Sequence, residues 1–428
     1  MSGLSYESLL AVTAIALAAP LLVALAPKLR MPAVVLEIVI GIIVGPSGLG
    51  WVRVDVPVGV LALIGLSFLL FLAGLELNVS ALRGRVTRIL SAYVVSAALA
   101  LGGGLLIARI DADNKPLFIA IVLASTSLGL VVPVLRDAGE TFSDYGQLVL
   151  AASSVGEFGA ILALALFYSE TGAGFGTQLF LLIGFAVLVV AVAVAMTRVE
   201  RSPRFVHALA VQGESSAQLG VRVAMLVLAV FLALSNNLGF EAVLGAFVAG
   251  ALLRVTDPEE RLTNERLRSK LDAIGYGFLI PAFFVTSGLQ FNAQALIDQP
   301  TAIAVVGVLV VLFFIVRAGP AMLYRRLYDA RRVAAAGLLQ ATSLSVPVVA
   351  VRLGSQLHTI DADTGAAIIT AGLLTVVLFP PLALMLLSRA DAADRASSPD
   401  GSAPGPTAGS RSPGRLARAI RARRTRGR

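Results

Sequence analysis

Apolar runs of about 20 residues, separated by short polar connections, cover residues 4 to 388. That is the length a helix needs to cross the hydrocarbon of a bilayer. The runs predict about thirteen transmembrane helices, at 4–26, 32–48, 57–77, 87–108, 116–135, 145–168, 177–197, 219–237, 240–253, 271–289, 302–324, 333–353 and 365–387. Several are short or interrupted: GPSG at 45–48, Pro133, Pro281 and Pro347 mark the places.

The polar connections set an orientation. Loops and flanks after odd-numbered helices carry Lys28, Arg30, Arg83, Arg85, Arg88, Arg136, Arg198, Arg201, Arg204, Arg261, Arg325 and Arg326, whereas the other side has Arg53, Arg109, Lys115 and Arg352. Positive residues stay on the cytoplasmic side. The expected topology has the N-terminus outside and the C-terminus in the cytoplasm, which agrees with an odd helix count. Residues 389–428 are rich in Ser, Pro, Gly and Arg. They are expected to be a disordered basic cytoplasmic tail, suited to an anionic inner leaflet and too short for a nucleotide-binding domain.

Three pairs of segments echo each other. Helix 5 holds Thr126-Ser127-Leu128, with Arg136 ten residues after Thr126; helix 12 holds Thr342-Ser343-Leu344, with Arg352 ten residues after Thr342. Helix 3 ends in Gly74-Leu75-Glu76-Leu77-Asn78 and helix 10 in Gly288-Leu289-Gln290-Phe291-Asn292. Helix 2 has Glu37 and Gly41, helix 9 has Glu241 and Gly245. Each pair lies seven helices apart, an odd number, so the copies cross the membrane in opposite senses. The expected architecture is an inverted-topology repeat: residues 4–168, a linker helix at 177–197, and residues 219–388. Such repeats place the substrate site at mid-membrane, where interrupted helices cross. Helices 5 and 12 are the candidate crossing pair, able to turn free backbone groups and hydroxyls toward a cavity.

Composition narrows the function. The chain is 57% hydrophobic and 14% charged, where a soluble domain is about 25% charged; this reads as an all-α polytopic membrane protein. The absence of cysteine excludes disulfides, thiol catalysis and thiolate metal sites. His207 and His358 lie in connections and build no zinc cluster. The net charge of +8 sits in loops and tail, a topological pattern rather than a nucleic-acid stripe. The first apolar run lacks a basic leader, so no cleavable signal is expected. No nucleophile–base or metal constellation lies within the helices, so neither an enzyme nor a cofactor is expected.

The candidate chemistry centres on Glu157, set in the otherwise non-ionisable run QLVLAASSVGEFGAILALALF (147–167). A carboxylate at bilayer mid-depth is costly unless it is protonated, paired or bound to a cation. Burial disfavours its charged form and a bound cation favours it, so proton and cation compete. Ser153 and Ser154, four and three residues earlier, share its helical face. Gly156 permits close approach of a helix, water or ion. The other reading of Glu157 is a carboxylate bonded to a neighbour for packing. Arg317, inside helix 11, is either a snorkelling side chain or a fixed cation near the helix 5/12 crossing. Glu37, Glu76 and Glu241 lie nearer helix ends and read as interfacial or helix-terminal acids rather than ion ligands.

Stretches of the chain resemble the monovalent cation:proton antiporter superfamily, in the branch of Kef-type and bacterial Na+/H+ exchangers. They are PAVVLEIVIGIIVGPSGLG in helix 2, IGLSFLLFLAGLELN in helix 3, VLGAFVAGALL in helix 9 and PAFFVTSGLQFN in helix 10. The resemblance covers nearly all of residues 4–388. It implies a thirteen-helix sodium/proton antiporter-like fold, a dimerisation domain, a mobile core domain and a homodimer. It also implies an ion site at a two-residue motif of the sixth helix, matched here by Gly156 and Glu157. The unwound-helix threonine of the family matches Thr126, and the basic residue of its eleventh helix matches Arg317. Two departures stand out: Gly156 removes the motif's first polar member, and Glu replaces Asp at the second.

These readings lead to a secondary antiporter that exchanges Na+ or K+ for H+ by alternating access in a bacterial inner membrane. Its expected ion site comprises Glu157, Gly156, Thr126, Ser127, Ser153 and Ser154. Arg317 supports it, and Thr342 and Ser343 contribute from the second crossing helix. One carboxylate in the motif suggests electroneutral one-for-one exchange. The alternatives are a Na+-coupled solute symporter of related fold and a transport-inactive membrane sensor.

Overall fold

The computed structural model describes residues 6–25, 32–76, 86–110, 115–141, 143–168, 174–200, 218–256, 265–291 and 300–397. The chain divides into two units, Met1–Ser388 and Arg389–Arg428. Lys28, Arg30, Asn78, Arg83, Arg85, Arg201, Arg204, His207, Arg261, Asn292 and tail residues 398–428 lie outside the described residues.

The described residues are helical. In chain order they form α1 (Tyr6–Leu25), α2 (Ala33–Val44), α3 (Val56–Leu75), α4 (Val86–Ile110), α5 (Pro116–Leu123), α6 (Leu128–Asp137), α7 (Asp144–Phe167) and α8 (Phe175–Glu200). They continue with α9 (Leu219–Asn237), α10 (Ala242–Thr256), α11 (Glu265–Ile274), α12 (Ile280–Leu289), α13 (Pro300–Ala321), α14 (Ala330–Ala341), α15 (Ser345–Gln356) and α16 (Ala362–Ser397). Taking α5 with α6, α11 with α12 and α14 with α15 as single spans, 11 of the described helices are long and apolar enough to cross a membrane. Two further apolar helices, Ala33–Val44 and Ala242–Thr256, are shorter. The chain is a multi-pass membrane protein.

Local chemistry sets the helix ends. Asp55 caps α3 by accepting the Val58 N–H at 3.0 Å, and Ser143 caps α7 by accepting the Gly146 N–H at 2.9 Å, as N-cap oxygens do. The GPSG segment ends α2 at Val44. There the chain doubles back, and the Leu49 and Trp51 N–H groups bond the Ile43 and Val44 carbonyls at 2.7 and 3.0 Å. These would otherwise be orphan acceptors at a helix end.

The prolines do not lie where the interruptions are. The first crossing helix breaks at residues 124–127, ahead of Pro133, which sits inside α6. The second breaks at residues 342–344, and Pro347 falls in the first turn of α15, where its missing N–H costs little. Pro281 breaks nothing. The chain passes from α11 through one π turn, Gly275–Leu279, into α12, with Pro281 in its first turn.

Contacts concentrate within two groups of helices. α1, α2, α3, α9, α10 and α12 form one, and α4 to α7 with α13 to α15 form the other. The groups meet where α3 packs on α6 and α7 on α10, and α8 lies against both α7 and α10. In the first group α2 packs on α12 and α3 on α10, each through facing glycines. A Cβ on Gly41 or Gly288 would strike the partner backbone at Val285 O or Ile38 O. A Cβ on Gly74 or Gly250 would strike Phe247 O or Phe71 O. Lipid is as apolar as leucine, so close backbone approach through small residues is what holds such helices together.

Gly250→Val should therefore cost about 3 kcal/mol through overpacking against backbone. It should lower the thermal unfolding midpoint in detergent. Gly102→Val, at a glycine with nothing within 4 Å of a Cβ, should leave the midpoint unchanged.

Candidate functional site

Two interrupted helices face each other at their breaks. An interruption leaves the last carbonyls of α5 and α14 and the first N–H groups of α6 and α15 without helical partners, and no bulk water is there to receive them. The two breaks satisfy each other. The Ser127 N–H donates to Thr342 O at 2.9 Å. The Leu344 and Ser345 N–H groups both donate to Ser127 Oγ at 3.0 Å. Ser125 Oγ and Ser343 Oγ share a hydrogen bond of 2.6 Å, as do Ser127 Oγ and Ser345 Oγ. Thr126 Oγ1 donates to Gln340 O at 2.7 Å, and the Ser343 N–H donates to Thr375 Oγ1 of α16 at 3.1 Å.

Glu157, fully buried on α7, completes this arrangement. Its Oε2 accepts the Leu128 N–H at 2.8 Å, and its Oε1 accepts the Ser345 hydroxyl at 2.8 Å. Leu128 and Ser345 are the first residues of α6 and α15. The carboxylate thus sits at two helix N-termini, each carrying about half a positive charge. The hydroxyl directions follow by counting protons. Ser127 Oγ already accepts two backbone N–H groups, so its proton goes to Ser345 Oγ. The Ser345 proton then goes to Glu157. Both carboxylate oxygens accept, and the network is complementary to the anion.

Arg317, on α13, takes the complementary position. It is 3% exposed and directed inward, so it does not snorkel. Its Nε donates to Gln340 O at 3.3 Å and its Nη1 to Ser96 Oγ at 3.1 Å. Gln340 precedes the end of α14, where unpaired carbonyls give about half a negative charge. Gly156 explains how the guanidinium fits. A Cβ there would collide with Arg317 Nη2 and come within 2.9 Å of Thr126 Oγ1. The missing polar member of the two-residue motif is the space the guanidinium fills.

The remaining sequence candidates divide. Thr126, Ser127, Thr342 and Ser343 all lie at the crossing. Thr342 contributes its carbonyl there, while its hydroxyl donates to Leu338 O at 3.1 Å. Ser153 is fully buried, and its Oγ has no hydrogen-bond partner. Ser154 turns away: its hydroxyl bonds Leu150 O at 2.8 Å on its own helix, and it lines an apolar groove between α7, α8 and α10 with Phe158 and Phe247. Glu76 closes α3 and pairs with Arg136 at 3.7 Å. Glu37 departs from the helix-terminal expectation: it lies within α2, buried, and its Oε2 has no partner. The reading of single helices missed Ser345, Ser125, Thr375, Gln340 and Ser96. Ser345 carried one usable signal, a serine opening a half-helix just after Thr342-Ser343-Leu344.

The match to the family described as sodium/hydrogen exchanger, transmembrane, spans residues 13–384. The chain belongs to the sodium/hydrogen exchanger family. That is a family of ion transporters, not of enzymes. Among curated relatives, the chain is 31% identical over 396 residues to a putative Na+/H+ antiporter of Bacillus subtilis, an alignment covering 89% of this chain and 63% of the relative. It is 26% identical to a probable Na+/H+ antiporter of Methanocaldococcus jannaschii, covering 82% and 90%. It is 23% identical to a Na+/H+-K+ antiporter of Bacillus cereus, covering 87% and 94%. The solved structure of a sodium proton antiporter from M. jannaschii superposes with a TM-score of 0.60 at 18% identity, covering 90% of this chain and 98% of that one. The last likeness shows the exchanger fold.

In this exchanger-family chain the residues at positions 156 and 317 should be coupled. Gly156→Ala should destabilise the detergent-solubilised protein by about 1–3 kcal/mol through overpacking. Combined with Arg317→Lys, whose smaller head vacates the space, the loss should be less than the sum of the two single losses by about 1 kcal/mol. A cycle of thermal unfolding midpoints reads the coupling directly.

Proposed function

We propose that this chain exchanges protons for a monovalent cation, Na+ or K+, across a bacterial inner membrane by alternating access, with Glu157 as the shared site. One observation carries the reading: a fully buried carboxylate bonded to the first residues of two crossing half-helices, Leu128 and Ser345. Removing the counter-charge from such a site is costly in a low-dielectric interior, so the carboxylate leaves one access state only with a proton or a cation on it. Lone pairs not used by the two donors remain for either. Ser153, with its free hydroxyl one turn away, and the Thr126 and Ser127 segment are the supporting oxygen ligands. The relatives named as Na+/H+ and Na+/H+-K+ antiporters agree with both cations.

A single carboxylate at the motif carries one proton against one cation, giving electroneutral exchange. Arg317, bonded to Gln340 O of α14 and to Ser96 of α4 with its Nη2 unpartnered, acts as a fixed charge. The inverted repeat is favoured by the glycine-mediated pairs α3–α10 and α2–α12, because the repeat exchanges exactly those partners. The arginine distribution puts the N-terminus outside and the C-terminus inside, with residues 389–428 as a basic tail at the inner leaflet. The homodimer, with α1 to α3 and α9 to α12 as scaffold and the group containing Glu157 as moving core, rests on the family resemblance.

Proteoliposomes test the exchange. Wild-type protein should dissipate an imposed pH gradient when Na+ or K+ is supplied, and Glu157→Gln should fall to the leak of protein-free liposomes. Retained exchange in Glu157→Gln would remove Glu157 from the site. A membrane potential imposed by a K+ gradient and ionophore should leave the rate of Na+/H+ exchange unchanged; acceleration would overturn electroneutrality.

A further inference from the structure

A cavity of about 450 Å³ lies between α1, α2, α6 and the π turn leading into α12. Its polar lining consists of Thr13 from α1, Glu37 from α2, Arg136 and Asp137 from α6, and Tyr276 from the π turn; α3 and α12 contribute apolar side chains. At about 30 Å³ of liquid per water molecule, the space takes several waters. Thr13 has its hydroxyl turned to its own helix, on Leu9 O at 2.9 Å. Arg136 is held by Asp272 at 3.2 Å and Glu76 at 3.7 Å, with its guanidinium over the Tyr276 ring.

Glu37 is the unexplained member. It is 5% exposed, and among the described residues neither a hydrogen bond nor an ion pair satisfies it. Its Oε2 is buried without a partner. A buried ionised carboxylate without a partner is costly, so the side chain needs something the fold does not supply. With Arg136 committed elsewhere, Glu37 and Asp137 leave the cavity lining negative. The ligand that fits is a small cation: a proton, or one alkali cation that keeps part of its water shell.

We propose that Glu37 is a second cation and proton site, loaded from this cavity and feeding Glu157. The cavity wall reaches α6 at Pro133, five residues from Leu128, which bonds Glu157. At 1.5 Å rise per residue that is about 8 Å along the helix, a short step for an ion once the crossing opens. Glu37 belongs to α2, in the helix group separate from that of Glu157, so movement between the groups would pass the ion from one to the other. The role as feeder rests on the antiport reading; the site itself does not.

The test separates the two. Full-length protein is treated with a hydrophobic carbodiimide, which adds to protonated carboxyls in apolar surroundings, and adducts are located by mass spectrometry. Glu37 should be modified, and replacing choline chloride with NaCl or KCl at constant ionic strength should suppress the adduct about tenfold, as expected for saturation of a competing site. The same suppression should persist in Glu157→Gln, where exchange is lost. An absent adduct, or one indifferent to alkali cations, would overturn the site and leave Glu37 a permanently neutral acid in an apolar slot. In proteoliposomes Glu37→Gln should raise the cation KM about tenfold with the maximal rate retained, an effect of about 1.4 kcal/mol, and Glu37→Asp should restore part of it. An unchanged KM would overturn the feeder role. Absence of exchange in the wild type would overturn the antiport reading and leave the labelling result standing.

Discussion

Backbone polar groups left open inside a membrane have to be answered from within the protein, and the rest of this structure depends on that requirement. Two helices are broken at mid-length, at 124–127 and at 342–344. Each break exposes N–H groups on one side and carbonyls on the other. Hydroxyls from Ser125, Thr126, Ser127, Ser343 and Ser345 do what water does elsewhere, each break bonding the other. The arrangement explains the residue types. Side chains at the crossing must donate and accept within one or two bonds of the backbone, which serine and threonine do and longer polar residues do not.

The charges sort along the same lines. Helix N-termini favour an anion and C-termini a cation. Glu157 takes the N-termini of α6 and α15, and Arg317 takes the carbonyl of Gln340 near the end of α14. They are not an ion pair in this structure: Glu157 answers two half-helix N-termini, and Arg317 answers one half-helix C-terminus together with Ser96 of α4. Gly156 keeps them apart in role while leaving them close in space, because the guanidinium lies over the bare Cα next to Glu157. A polar residue at 156 would compete for Arg317. Its absence leaves Glu157 as the single carboxylate of the two-residue motif.

Much of this was legible in the sequence, for physical reasons that differ by feature. Spans are legible because bilayer thickness fixes the length of an apolar run; helix 8, at 219–237, matches α9 at both ends. Glu157 is legible because an acid has no cheap place inside such a run. The break positions were misread, since proline suggests where a helix can bend, while the chain here unwinds where hydroxyls from the other break can replace helical bonds. Ser345 was missed because its partner lies 188 positions away and helical periodicity reports only neighbours on one helix; its place opening a half-helix was its one local signal. Ser154 shows the same limit in reverse: it shares a face with Glu157 by spacing yet spends its proton on Leu150. Glu37 read as a helix-end acid from its place near the start of an apolar run; its burial comes with the packing of α2 on α12 and α1, which no local pattern records.

The direction of the hydroxyl protons has a mechanistic consequence. Ser127 Oγ cannot accept from Ser345 while it holds the Leu344 and Ser345 N–H groups, so Ser345 must donate to Glu157. The crossing therefore presents Glu157 with two donors and no acceptor within this network. A cation arriving at the carboxylate disturbs none of these bonds, since it binds the lone pairs left over. A proton arriving at Oε1 must find its own acceptor or share a lone-pair direction with the Ser345 hydroxyl. If Glu157 is the shared site proposed above, the two occupants meet the same anion but ask different things of its surroundings. An oxygen such as Ser153 Oγ, buried and unpartnered one turn along α7, is suited to either demand: its lone pairs can join a cation's shell or take the bond from a protonated carboxyl. On the proposed reading, competition at this one carboxylate makes the two ions exclusive without any second charged group in the motif.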